Sequence, residues 1–124
     1  MQKRQDASDE DDEFERVDYA SKESREAVDV IGGAIFSADL DVTHPLGFGY
    51  AGRSIQLHKN YREPMENTDN PYATVIAYAD DPVYSGYVSA DNRDELAGTA
   101  ALLAERMAQG SVVLFADDPN FRGY

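Results

Sequence analysis

From Ala34 to Val42 apolar and polar positions alternate. Ile35 precedes Ser37, and Phe36, Ala38 and Leu40 interleave with Asp39 and Asp41, which predicts a strand with one buried face. The loop "HPLGFGYAG" follows, punctuated by Pro45, Gly47, Gly49 and Gly52. "SIQLHKN", from Ser54 to Asn60, predicts a second strand, and "YREPMENTDNPY" a polar connection carrying Pro64 and Pro71. "ATVIAYA", Ala73 to Ala79, is apolar nearly throughout, the pattern of a strand covered on both faces. Asp80-Asp81-Pro82 then reads as a turn, and "VYSGYVS" from Val83 as a further strand weakened by Gly86.

Helical spacing enters twice. Ser21 is an N-cap candidate, Ala27, Val28 and Ile31 follow at helical offsets, and Gly32-Gly33 supplies a stop. A longer helix is expected from Asp91 or Asn92, with Asn92 and Glu95 at capping-box offset, Leu96, Ala100, Leu103 and Met107 as its apolar stripe, and Gly110 closing it. "SVVLFA", Ser111 to Ala116, then predicts a buried strand. Apolar strands either side of a helix point to an α/β fold: a mixed, largely parallel sheet of about four or five strands with few helices. That helix cover is thin for a free-standing doubly wound domain.

Composition narrows the organisation. With 124 residues the chain holds one domain and one modest core. Residues 1–20, with the run Asp9-Glu10-Asp11-Asp12-Glu13, read as a flexible acidic lead-in or linker, and 21–124 as the α/β domain. A net charge of −13 argues against nucleic acid and anionic membranes as partners, because both are held by Lys and Arg. The lack of cysteine removes disulfides, thiolate metal sites and cysteine nucleophiles. The opening "MQKRQDASDEDD" has no apolar core of the kind a signal or membrane segment needs.

Three stretches together, "IGGAIFSADLDVTHPLGFGY", "ATVIAYA" and "YSGYVSADNRDELAGTAALLAERMAQGSVVLFADDPNFRGY", resemble the C-terminal region of bacterial zinc carboxypeptidase-like proteins. There a metallocarboxypeptidase domain precedes one similar to class I glutamine amidotransferases. The resemblance implies an amidotransferase-like, flavodoxin-like fold, with a peptidase domain in cis that removes C-terminal residues from peptides using zinc. It also implies a periplasmic or secreted parent and a last apolar helix after "FADDPNFRG", so the domain is expected to be incomplete at its C-terminus.

Neither chemistry has its residues in this stretch. Zinc peptidase chemistry needs two His and a Glu, the first pair spaced H-x-x-E. His44 is followed by Pro45-Leu46-Gly47 and His58 by Lys59-Asn60-Tyr61. Amidotransferase chemistry needs a Cys nucleophile, and there is none. No catalytic and no metal-ligating residue is therefore assigned. Candidate ligand-binding residues are Asp39, Asp41 and His44 at a strand exit and Asn120 and Arg122 in the segment running from Asp117-Asp118-Pro119-Asn120 to Arg122 after the last strand, where open α/β sheets place ligands. Each has a plain structural role as turn chemistry, and His58 with Lys59 and Tyr61 reads as the exposed end of a strand, with a polar pocket edge as the alternative.

The expected function is a non-catalytic accessory domain of a zinc metallocarboxypeptidase. The alternative is a sugar- or peptide-binding module without catalysis. A homodimer formed through the face left bare by the missing helix is a third expectation.

Overall fold

Five segments of the chain become strands: β1 Ala34–Leu40, β2 Ser54–Lys59, β3 Thr74–Ser85, β4 Ala100–Met107 and β5 Gly110–Phe115. Two α-helices, α1 Lys22–Asp29 and α2 Ala90–Leu96, complete the secondary structure together with single turns of 3₁₀-helix at Tyr19–Ser21 and Pro45–Gly47. The structure, a computed structural model, describes residues 17–60 and 62–120. Most of the acidic lead-in lies outside them.

The strands form one sheet in the order β2-β1-β3-β4-β5, with every neighbouring pair antiparallel. The sheet curves into a half-barrel. This corrects the expected largely parallel, flavodoxin-like sheet, and the physical reason lies between β3 and β4. A parallel neighbour requires a crossover of a dozen or more residues, usually a helix. Here α2 ends at Leu96, Gly98 takes φ +72°, and the chain turns straight back beside β3. Tyr78 N–H donates to Thr99 O at 2.9 Å and Gly98 N–H to Tyr78 O at 3.1 Å, which fixes that return.

The predicted helix to Met107 is thus a short helix and a strand. Ala100, Ala101, Leu102 and Leu103 are all buried, so consecutive side chains on both faces of β4 are covered. A helix would have buried one stripe and left the rest wet; pairing with β3 and β5 overrides the helical preference of Ala and Leu. Gly110 starts β5 instead of capping a helix: Met107 pairs with Gly110 across a two-residue turn, and Ala108 adopts φ +53°. A positive φ at the first central position is the mark of a type II′ hairpin turn.

Two further expectations change. Asp80-Asp81-Pro82 is not a turn, because β3 runs through it; Phe36 sits opposite Val83 and Ala38 opposite Tyr78, so the intervening β3 residues bulge out of the ladder. Proline lacks the N–H a regular ladder would use, and a bulge removes that requirement. β3 ends at Gly86, whose φ of +104° brings a hypothetical Cβ within 3.0 Å of the Ala34 Cβ. β5, expected to be buried, is an edge strand with Leu114 and Phe115 about half exposed.

α2 is capped by Ser89, not by Asp91 or Asn92. Ser89 Oγ accepts from Asn92 N–H at 3.3 Å and itself donates to Val28 O at 3.0 Å, while Asn92 Nδ2 donates to the same carbonyl at 2.8 Å. Val28 lies in the last turn of α1, where carbonyls lack helical partners, so the α2 cap also closes α1. Ile31, Phe36, Tyr78, Val88, Leu96 and Ala101 pack beneath, with the Phe36 and Tyr78 rings edge to face at 5.7 Å. Burying Phe36 completely contributes about 1.5–3 kcal/mol.

Candidate functional site: an apolar trough

Register decides which side chains share the concave face. Phe36 lies opposite Leu57 and Ala38 opposite Ile55 in β1 and β2. On the far side Leu102 lies opposite Phe115 and Ala104 opposite Val113. Directly opposed residues point to the same side of a sheet, so apolar side chains from both halves line one trough. The other face of β1 and β2 carries Ser37 and Asp39, with Ser54 opposite Asp39.

The trough has a volume of about 760 Å³ and is lined mainly by apolar side chains, among them Leu40, Ile55, Leu57, Leu102, Val113 and Phe115, with the polar Gln56 and His58 along β2. Leu46 and Tyr50, from the loop between β1 and β2, form one lip, and Asp117, Asp118 and Pro119 form another. Its floor is the second core cluster, Leu40, Val75 and Leu102, with Ile55, Ile76 and Ala104 packed against it. A concave, mostly apolar cavity of a few hundred cubic ångströms with a small number of polar groups is the form small-molecule and peptide sites take.

One end of the trough is polar. Lys59 Nζ contacts Asp117 Oδ1 at 2.8 Å, the Tyr78 hydroxyl donates to Asp117 Oδ2, and Lys59 Nζ sits 5.5 Å from the Tyr78 ring centroid. The Lys59 side chain is wholly enclosed and that of Asp117 nearly so, at 0% and 11% exposure. Burial, reinforced by the hydrogen bond to Asp117, pushes the Tyr78 phenol above its ordinary pKa. Both carboxylate oxygens of Asp117 are engaged, and the Lys59 side chain is fully enclosed. The cluster joins the end of β2 to the segment after β5.

The candidates at the exit of β1 lie elsewhere, whereas Asp117, Asp118 and Pro119 of the second candidate segment line the trough. Asp39 projects from the convex face into a two-pronged contact with Arg53, Nε at 3.0 Å and Nη2 at 2.7 Å, and that guanidinium lowers its pKa. Asp41 Oδ1 accepts from the Thr43 hydroxyl at 2.6 Å and the Thr43 N–H at 2.9 Å, which lowers its pKa too. His44 Nδ1 accepts from Leu46 N–H at 3.1 Å and caps the 3₁₀ turn. These three are adjacent in sequence, but each polar group serves its own turn or hairpin. Asn120 donates its N–H to Asp118 Oδ1 at 2.9 Å, beside the trough lip; Arg122 lies outside the described residues.

Sequence reasoning does not single out Tyr78. It reads Lys59, with His58 and Tyr61, as the exposed end of a strand in preference to a polar pocket edge, whereas Lys59 is completely buried. One signal was there: Ile55, Leu57 and Lys59 occupy alternate positions, so a charge falls on the apolar face of β2. Among the described residues no group of three or more His, Asp or Glu side chains is placed to hold a metal ion. Compared with known proteins, the chain matches no family model, no curated protein sequence and no solved structure.

Proposed function

We propose that this chain is a binding module without catalysis of its own, whose concave trough receives apolar groups of a peptide or small ligand. The observation that carries this reading is the trough itself: apolar side chains from both edges of the half-barrel face an open space of about 760 Å³, with Val113 and Phe115 left partly in water. Exposed apolar surface gathered in one concavity is where a soluble domain binds. The polar groups nearby support a non-catalytic role. Asp117 is held by Lys59 and Tyr78, and Asp39, Asp41 and His44 are spent on structure. The accessory role beside a zinc peptidase rests on the sequence resemblance and on the missing zinc ligands and cysteine; the antiparallel half-barrel corrects the sheet which that resemblance implied and does not bear on the role.

Nile red, a neutral apolar dye that brightens out of water, tests the reading. The native chain is expected to bind it in the micromolar range, and Val113→Asp and Phe115→Asp to weaken binding by about tenfold or more, since each places a charge in the trough. Both positions are partly exposed, so the variants fold, as circular dichroism will verify. A native chain that leaves the dye dark, or two variants that bind it as well as the native chain does, overturns the proposal.

A further inference from the structure

The outer edge of β5 carries main-chain groups that match the requirements of one more strand. Met107 and Gly110 flank a two-residue turn, which makes them a hydrogen-bonded pair, and every second pair along the hairpin repeats that state. The bond from Ala116 N–H to Ala101 O, 2.9 Å, falls in the same phase. Gly110, Val112, Leu114 and Ala116 therefore turn their N–H and C=O groups toward β4. Ser111, Val113 and Phe115 turn theirs outward, on the side of β5 where the described residues place no further strand. Val113 and Phe115 also point their side chains into the trough. Main-chain groups and apolar pocket thus begin at the same residues.

Natural edge strands are protected by charges, prolines or inward-pointing lysines. β5, "GSVVLF", has none of these, and its residues Val112 to Phe115 are 38–52% exposed. The chain's net charge is −13, so a second copy brought to this edge would bring the same charge with it. A cationic partner gains where a second copy loses.

Resting on the trough reading above, we infer that the occupant is an extended peptide segment of another protein, with apolar residues at alternate positions and Lys or Arg flanking them. It adds to β5 as a sixth strand. Its backbone pairs with Ser111, Val113 and Phe115, alternate side chains enter the trough beside Leu57 and Leu102, and its flanking cations meet a chain whose net charge is −13. Main-chain bonds supply affinity and the trough selects the alternate side chains.

The test uses the full chain and a seven-residue peptide of alternating valine and threonine between terminal lysines. Two counterparts accompany it: one with the outward-pairing amides N-methylated, the other with glutamates in place of the lysines. The parent peptide is expected to bind, and both counterparts to bind at least about tenfold more weakly, since one lacks the strand-pairing donors and the other the charge. Ser111→Pro removes an outward N–H at a residue that does not line the trough, a change edge strands tolerate. It is expected to cost the peptide about tenfold or more in affinity and to leave Nile red binding within about twofold. Equal binding of the N-methylated peptide, of the glutamate peptide or to Ser111→Pro overturns the inference, as does sedimentation of the peptide-free chain as a dimer. Nile red binding with no peptide binding overturns this inference alone; failure of the dye in the native chain overturns the trough reading.

Discussion

Lys59 at the end of β2 and Asp117 just beyond β5 meet at 2.8 Å, joining the two outer strands of the half-barrel across a separation of 58 positions in sequence. The contact closes one end of a trough that is open along its length. Removing one partner leaves the other charge nearly enclosed and unpaired, a change that costs about 3–5 kcal/mol in comparable sites, far more than any exposed ion pair. Lys59→Met is accordingly expected to lower unfolding free energy in urea by about 3 kcal/mol. Lys59→Met with Asp117→Asn, which keeps an acceptor for Tyr78 but no charge, should recover a good part of that loss. A single variant within about 0.5 kcal/mol of native stability would show that the pair is not enclosed as described.

The third member of the cluster links stability to alkaline pH. The folded-state pKa of Tyr78 is raised above the ordinary phenol value of 10.0, first by burial and then by its bond to Asp117. A folded state that holds a proton more tightly is fully stabilised by it below the unfolded pKa and loses that stability as pH rises beyond it. Above pH 10 the native chain should therefore lose up to about 1.4 kcal/mol per pH unit from this one group. Tyr78→Phe is expected to be less stable at pH 7, having lost a hydrogen bond to a charge, yet to show a flatter decline above pH 10. Parallel declines in the two proteins would mean that Tyr78 titrates normally.

Asp39 and Arg53 give the opposite sign and a smaller effect. Hydrogen bonding to Arg53 lowers the Asp39 pKa below 3.8, so its stabilisation is complete above that value and disappears as pH falls through the lowered one. Both side chains are more than half exposed, and pairs of that kind are worth about 0–1 kcal/mol. Asp39→Asn should cost less than about 1 kcal/mol at pH 7, less still in high salt, and progressively less as pH falls below 3.8. A cost that does not shrink on acidification would point to lost packing on the convex face.

These three contacts also mark how far sequence reasoning reaches. β1, β2 and α1 were legible because alternation and helical spacing are local, and the strand at "ATVIAYA" was legible as an apolar run. β4 was not, because Leu96, Ala100, Leu103 and Met107 satisfy a helical stripe equally well; only the return fixed by Tyr78 and Thr99 favours a strand. Once that helix is lost, the parallel crossover is lost with it, and the whole topology changes. The exposure of β5 was hidden for another reason: an apolar run states that its residues want cover and says nothing of what covers them. Asp41 and His44 have partners two residues away and were readable as turn chemistry, whereas Lys59 and Asp117 are joined only by the curvature of the sheet.

The hairpin that presents β5 contains a residue working against its conformation. Ala108 is the one described non-glycine residue with positive φ, at +53°, where its Cβ crowds the following carbonyl. Glycine reaches that region without the clash, at the cost of more freedom in the unfolded chain, and the balance at such positions favours glycine. Ala108→Gly is expected to stabilise the protein by about 0.5–1 kcal/mol without altering the pairing of Met107 with Gly110. Ala108→Val should be destabilising by more than that, because a β-branched side chain is a poorer fit still. Because β5 gives the trough Val113 and Phe115, the glycine variant should bind Nile red as the native chain does, while the valine variant loses both hairpin and dye. Equal stability of alanine and glycine at this position, measured by urea unfolding, would mean that Ala108 does not hold the positive φ of a type II′ turn.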